Sequence, residues 1–199
     1  AAAGIAREFL ADLGVEVFSY VNRIGEAEFR EESPFVNCVN YTPLDIETSE
    51  VRCPNAQATR AMIAEIKRAK AERDTIGGTF RVVATGLVPG LGGYATADDR
   101  LTARLGQALF SIQAMKGVEF GMGFEVARRL GSEVHDPIVL ADGEFRRTSN
   151  NAGGLEGGMT TAMPLVITAA MKPIPTLMTP LETVNLDTLC VEEASKERS

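Results

Sequence analysis

The sequence predicts an α+β fold built on a mostly antiparallel sheet. Two kinds of periodicity carry that expectation. Apolar residues recur at helical spacing in roughly three stretches, and five to six short runs show the alternation of strands. The third observation is the order of these elements. The helices do not interleave with the strands as a regular βαβ repeat, which argues against a doubly wound parallel sheet.

Taken in order, residues 1–13 read as a helix with Gly14 as its stop. "VEVFSYVNRIG" near-alternates through Val15, Val17, Ser19 and Val21 and reads as a strand. Residues 25–54 mix acids, Pro34, Pro43, Pro54 and isolated apolar side chains, and read as a long irregular excursion. Asn55 is an N-cap for a helix carrying Met62, Ile63, Ile66 and Ala69 to about Arg73. "DTIGG" is a turn. "TFRVVATGLV" is a strand with Phe80, Val82, Ala84 and Gly86 on one face, and "PGLGG" is a loop. Asp98 and Asp99 then open a helix striped by Leu101, Leu105, Ala108, Leu109 and Ile112, where acids complement the helix dipole. "GVEFG" is a strand, and "FEVARRLG" a short helix stopped by Gly131. Residues 132–160 are mostly loop. "PLVITAAMK" is a strand, "KPIPT" a rigid segment, and "TVNLDT" with "LCVEE" a further strand pair.

The totals exclude several classes of function. The 199 residues suit one large domain or a substantial piece of one, with 45% hydrophobic and 24% charged residues, as in ordinary globular proteins. A net charge of −7 disfavours non-specific binding to nucleic acid or an anionic membrane. A small anionic ligand still fits a local cationic patch. No apolar run has the length of a membrane span. Cys38, Cys53 and Cys190 are widely spaced without a C-x-x-C, which argues against a disulfide framework or a structural zinc site. With a single histidine, His135, no metal site is expected, and a cytoplasmic setting is the simplest reading. The opening inside a helical pattern and the closing "ASKERS" suggest that sequence continues at both ends.

Several stretches invite chemistry. "SNNAGGLEGGMT" places two glycine pairs around a carboxylate. Such backbone can nest an anion or simply turn. The spacing is neither G-x-G-x-x-G nor a P-loop. "MKPIPT" follows a strand, and its two prolines would hold Lys172 and Thr176 stiffly at the strand end. Gln113, where a helix gives way to a strand, offers both a donor and an acceptor, or caps backbone as an ordinary helix-end amide. His135 beside Asp136 could be an acid–base pair, but a lone loop histidine reads more simply as a surface residue. Arg128 and Arg129 read as a solvated face or as partners of nearby acids.

Read together and in order, "DTIGG", "PGLG", "LFSIQAMKGVEFGMGF", "GSEVHD", "SNNAGGLEGGMT" and "AAMKPIPT" resemble the chorismate synthase family. The resemblance spans nearly the whole chain and is weakest over residues 26–52. It implies that residues 1–199 are the central-to-C-terminal portion of a single domain, with helices sandwiched between mostly antiparallel sheets, in a homotetramer. It also implies a lyase of aromatic amino acid biosynthesis, converting 5-enolpyruvylshikimate-3-phosphate to chorismate by 1,4-anti elimination of phosphate. Reduced FMN is required without net redox change. The flavin is reduced either by an NADPH-dependent activity of the same protein or by a separate reductase. Carried over by position, the flavin contacts fall on Gln113, Ala114, Gly157, Lys172, Pro173, Ile174, Pro175, Thr176 and Arg198, with Arg198 also a substrate contact. The family's proton-transfer histidines and its serine- and arginine-rich flavin motif would precede Ala1, so weak or no catalysis is expected from these residues alone. The alternative is an inactive flavin-binding or assembly module.

Overall fold

The computed structural model of the chain describes residues 2–30 and 41–196, which leaves Cys38 and Arg198 outside the described residues. From the N-terminus the elements are α1 (Ala2–Asp12), β1 (Glu16–Ile24), β2 (Ala27–Glu28), α2 (Pro43–Glu47), α3 (Ala56–Ala71) and β3 (Gly78–Thr85). There follow α4 (Leu101–Phe110), β4 (Met115–Phe120), a 3-10 turn (Gly123–Arg128), α5 (Gly131–Val134), β5 (Ile138–Ala141) and β6 (Glu144–Arg147). The chain continues through β7 (Leu155–Glu156), β8 (Met159–Thr160), β9 (Leu165–Met171), β10 (Glu182–Val184) and β11 (Val191–Glu193).

Five strands form one antiparallel sheet in the order β2–β1–β3–β9–β4, as the α+β reading expects. Both of its faces are covered. Val83 pairs with Phe18 on one side and Val166 on the other, and this row packs with Tyr20, Cys53 and Met62 of α3. One residue along, Ala84 and the Leu165 and Ile167 side chains face the opposite way, against Leu101, Leu105 and Leu109 of α4. Beside the face that carries Phe80, Val82 and Ala84, Val83 gives β3 a second buried face. A strand buried on both faces reads as a continuous apolar run, which "VVA" is. Within the described residues the layers run helix, sheet, helix; the strands outside this sheet form two-stranded pairs.

Several boundaries also differ from expectation. Residues 25–54 are not wholly irregular. They hold β2 and α2, where Thr42 and Asp45 form a reciprocal capping box. Asn55 does cap α3, accepting from the Ala58 N–H at 2.9 Å. Asp98 and Asp99 precede α4 instead of occupying its first turn, because Asp99 is engaged by the Thr96 hydroxyl at 2.7 Å. Gly131 begins α5 and does not stop a helix. Residues 132–160 contain two hairpins, β5–β6 and β7–β8. Short exposed strands lack the clean alternation that announces a half-buried one. The β10–β11 pair is as expected.

Candidate functional site

β9 is the strand to which most of the candidate residues are tied. At its C-terminal end, Met171 pairs with Gly78 of β3 and with Met115 of β4. The next residue, Lys172, donates its backbone N–H to the Ala114 carbonyl at 3.0 Å. Two candidate groups 58 positions apart in sequence, Gln113–Ala114 and Lys172–Thr176, are thereby brought together. Ala114 takes a left-handed φ of +70°, an uncommon conformation for a residue with a Cβ. It lets the chain leave α4, present the exposed Gln113 amide, and enter β4 directly.

Pro173 and Pro175 remove two backbone donors and fix φ, so the segment after Lys172 joins neither a helix nor the ladder. Lys172, Ile174 and Pro175 are exposed. Two hollows flank them. One, of about 280 Å³, is lined by Phe80, Ile76, Met171, Lys172 and Ile174 among others. The other, of about 570 Å³, shares Ile66, Ile76 and Ile174 and is also lined by Lys70, Arg73 and Asp74. An apolar hollow that Lys172 helps to line matches a planar aromatic ring bearing an anionic tail. On that chemistry the residues present fit FMN.

Gly157 lies elsewhere. It opens the two-glycine turn of the β7–β8 hairpin, with φ of +59° and +88° at Gly157 and Gly158, the geometry that a tight hairpin turn favours. The Gly158 carbonyl accepts from Leu101 N–H, the first residue of α4, at 2.9 Å. Gln113 follows the last turn of the same helix. The two groups are thus separated by about the helix length, roughly 15 Å. Among the described residues nothing lies within 4 Å of a Cβ built on Gly157, so its bare α-carbon faces away from them.

The other glycines of this loop serve packing. Gly153 and Gly154 are buried, and added Cβ atoms would stand 2.2 Å from Gly121 N and 2.5 Å from Pro164 O. Asn150, 1% exposed, ties the turn together: its amide donates to Pro164 O, and its oxygen accepts from Gly154 N–H, both at 2.8 Å. The buried Asp136 carboxylate accepts from the Ser149 hydroxyl at 2.5 Å, Asn151 N–H at 2.7 Å and Ala152 N–H at 3.0 Å. Arg147 makes a forked pair with Glu156, at 3.1 and 2.7 Å, beside the Gly157 turn. Sequence reading missed Asp136, Asn150 and Arg147 as organisers. Only the paired asparagines before the glycines signalled them, and that signal is shared by ordinary turns. His135 is exposed, as the simpler reading had it, and Arg128 and Arg129 pair with Glu125 at 3.6 and 3.2 Å.

Comparison with known proteins agrees with this arrangement of motifs. The family model described as chorismate synthase matches residues 1–199. A chorismate synthase of Corynebacterium diphtheriae is 50% identical over 189 residues, covering 94% of this chain and 46% of that protein. One from Desulforudis audaxviator is 48% identical, covering 100% of this chain and 50% of its own length. A crystal structure of chorismate synthase superposes with a TM-score of 0.80 at 41% identity, covering 86% of this chain and 53% of that one. The chain spans about half the length of the curated relatives it matches. With a family match over its full extent and this structural likeness, the chain belongs to the chorismate synthase family.

Proposed function

We propose that the protein to which these residues belong carries out the phosphate elimination that gives chorismate from 5-enolpyruvylshikimate-3-phosphate, with reduced FMN as cofactor. Residues 1–199 supply the central-to-C-terminal portion of its single domain. The observation that supports this most is the junction of Gln113–Ala114 with Lys172 through the Lys172 N–H to Ala114 carbonyl bond, which gathers two separate groups of expected flavin contacts.

Reduced FMN held by these residues would supply transient electron donation for the loss of phosphate, with no net redox change. The chain's own residues hold and orient. The Lys172 ammonium balances negative charge on the flavin or the substrate phosphate. The Gln113 amide donates to and accepts from a polar ring edge. Pro173, Ile174 and Pro175 keep that edge of the site stiff, Thr176 adds a hydroxyl, and Gly157 leaves room for close approach. Arg198 adds a second cation in this reading. The separation of Gly157 from Lys172 is one reason to propose that several copies, in a homotetramer, build each flavin site.

His135, the only histidine of the sequence, follows α5 and precedes Asp136, which clamps the loop beyond the far end of β4. The 199 residues therefore bring no imidazole to the Lys172 end. We propose that alone they still bind flavin but turn over substrate weakly or not at all, in a cytoplasmic setting, with NADPH the ultimate source of electrons. FMN titration followed by fluorescence quenching is the test. Saturable quenching whose affinity Lys172→Ala lowers about tenfold is expected, and quenching indifferent to that change would reject the assignment. Anaerobic incubation with substrate and reduced FMN, read as released phosphate, tests the second point. Rapid release from these residues alone would contradict it.

A further inference from the structure

The "DTIGG" turn at residues 74–78 has so far no role. Its side chains reach across the sheet end to the segment that carries Lys172. The Thr75 hydroxyl donates to the Ile174 carbonyl at 2.7 Å, a bond between residues 99 positions apart. A Cβ on Gly77 would stand 2.6 Å from the Met171 carbonyl and 3.0 Å from Pro173 Cδ. Gly77 is thus the bare surface on which the start of the proline segment rests.

The turn is itself anchored. The Asp74 N–H donates to Ala69 O in the last turn of α3 at 2.9 Å. The Gly77 carbonyl accepts from Gly25 N–H in the β1–β2 turn at 3.0 Å. The Asp74 carboxylate accepts from Thr75 N–H at 2.7 Å, which holds the threonine at its place in the turn. From the other side, the Ala114 carbonyl holds Lys172 N–H. The proline segment has few backbone donors of its own, so its position must be imposed by neighbours.

We infer that residues 74–78 form the positioning clamp of segment 172–176, with Thr75 and Gly77 as the positioning residues that set where Lys172 stands. The inference rests on the reading of segment 172–176 as a flavin contact, and deepens it. Thr75 acts through its hydroxyl on the Ile174 carbonyl, and Gly77 acts by the absence of a side chain. Neither is a catalytic residue.

Four variants and two readouts separate the outcomes. The readouts are the FMN dissociation constant by fluorescence quenching and hydrogen exchange at the Lys172 amide by NMR without ligand. Thr75→Val, which keeps the shape and removes the hydroxyl, should weaken FMN binding about fivefold and speed Lys172 exchange by a similar factor. Thr75→Ser should restore both to within about twofold. Gly77→Ala should weaken binding at least as much as Thr75→Val, and if it fails to fold, the threonine pair carries the test. Lys172→Ala is the reference. If it leaves FMN affinity unchanged, the flavin reading fails while the exchange data still decide the clamp. If it weakens FMN and Thr75→Val changes neither affinity nor exchange, the clamp is overturned. Equal losses in Thr75→Ser and Thr75→Val would also overturn the role given to the hydroxyl.

Discussion

The two ends of β9 are built on opposite plans. Where the strand begins, at Leu165, the backbone of the glycine loop is closed in by Gly121, Asn150 and the Asp136 carboxylate, and the polar groups named there are spent on one another. Where it ends, at Met171, backbone bonds and bare glycine hold a segment whose side chains point outward and are exposed. The first end uses glycine to let chain pack on chain. The second uses it to set a stiff, cationic segment in one place. Glycine density alone therefore does not mark a ligand site, since most of the glycine-rich loop is interior structure and, of its glycines, Gly157 alone has no described neighbour within 4 Å of an added Cβ.

The largest effect that can test this contrast is on stability. Gly153→Ala places a methyl group 2.2 Å from Gly121 N at a φ of +65°, with backbone on both sides and no flexible side chain to give way. A loss of about 4 kcal/mol or more is expected. Gly157→Ala, at a φ of +59° with nothing within 4 Å, should cost only the left-handed penalty, about 1–2 kcal/mol. Urea denaturation of both variants measures the difference. Similar losses would mean that the loop is uniformly tight and that the distinction is wrong.

Asp136 comes next. Asp136→Ala leaves two backbone N–H groups and a hydroxyl without their acceptor at the closed end, and should destabilise by about 3 kcal/mol. Asp136→Asn keeps one acceptor oxygen and should lose about half of that. At the open end the balance reverses. Lys172→Ala should change stability by less than about 0.5 kcal/mol, since the side chain is exposed, and weaken FMN binding about tenfold. A Lys172 variant that unfolds, or an Asp136→Asn variant that folds normally and loses flavin as strongly as Lys172→Ala, would erase the contrast.

Much of this was legible beforehand, for reasons tied to particular residues. The Asn55 cap, the Leu101–Leu105–Leu109 stripe and the run leading to Lys172 are local patterns, and each lies where expected. The "KPIPT" stiffness follows from proline alone. The relation between Thr75 and Ile174 was not legible, because no local pattern reports a bond across 99 residues. Nor was the separation of Gly157 from Gln113. Sequence order suggests one cluster, and only the antiparallel course of β9 places its start and its end far apart. Asp136 was noticed for its neighbour His135 and turned out to matter for its own carboxylate, because burial, the deciding quantity, is set by the fold.

The smallest expected effect lies behind the open end. Glu65 on α3 accepts from Arg68 at 3.0 Å and from Glu26 N–H at 3.2 Å, in the β1–β2 turn whose Gly25 in turn holds Gly77. The Arg68 guanidinium, and after it the Glu26 N–H, lower the Glu65 pKa from its ordinary 4.5. A carboxylate whose folded pKa is depressed adds stability above its unfolded value, and loses that contribution as pH falls through the folded one. The stability difference between the wild-type chain and Glu65→Gln should therefore be constant from neutral pH to about 4.5, and shrink below it. The effect is small because the Arg68 partner is exposed and screened, and 0.5 M salt should reduce it further. Denaturation curves from pH 7 to pH 3 read it directly. If the difference grew on acidification, Glu65 would be held protonated instead, and the turn behind Gly77 would owe nothing to its charge.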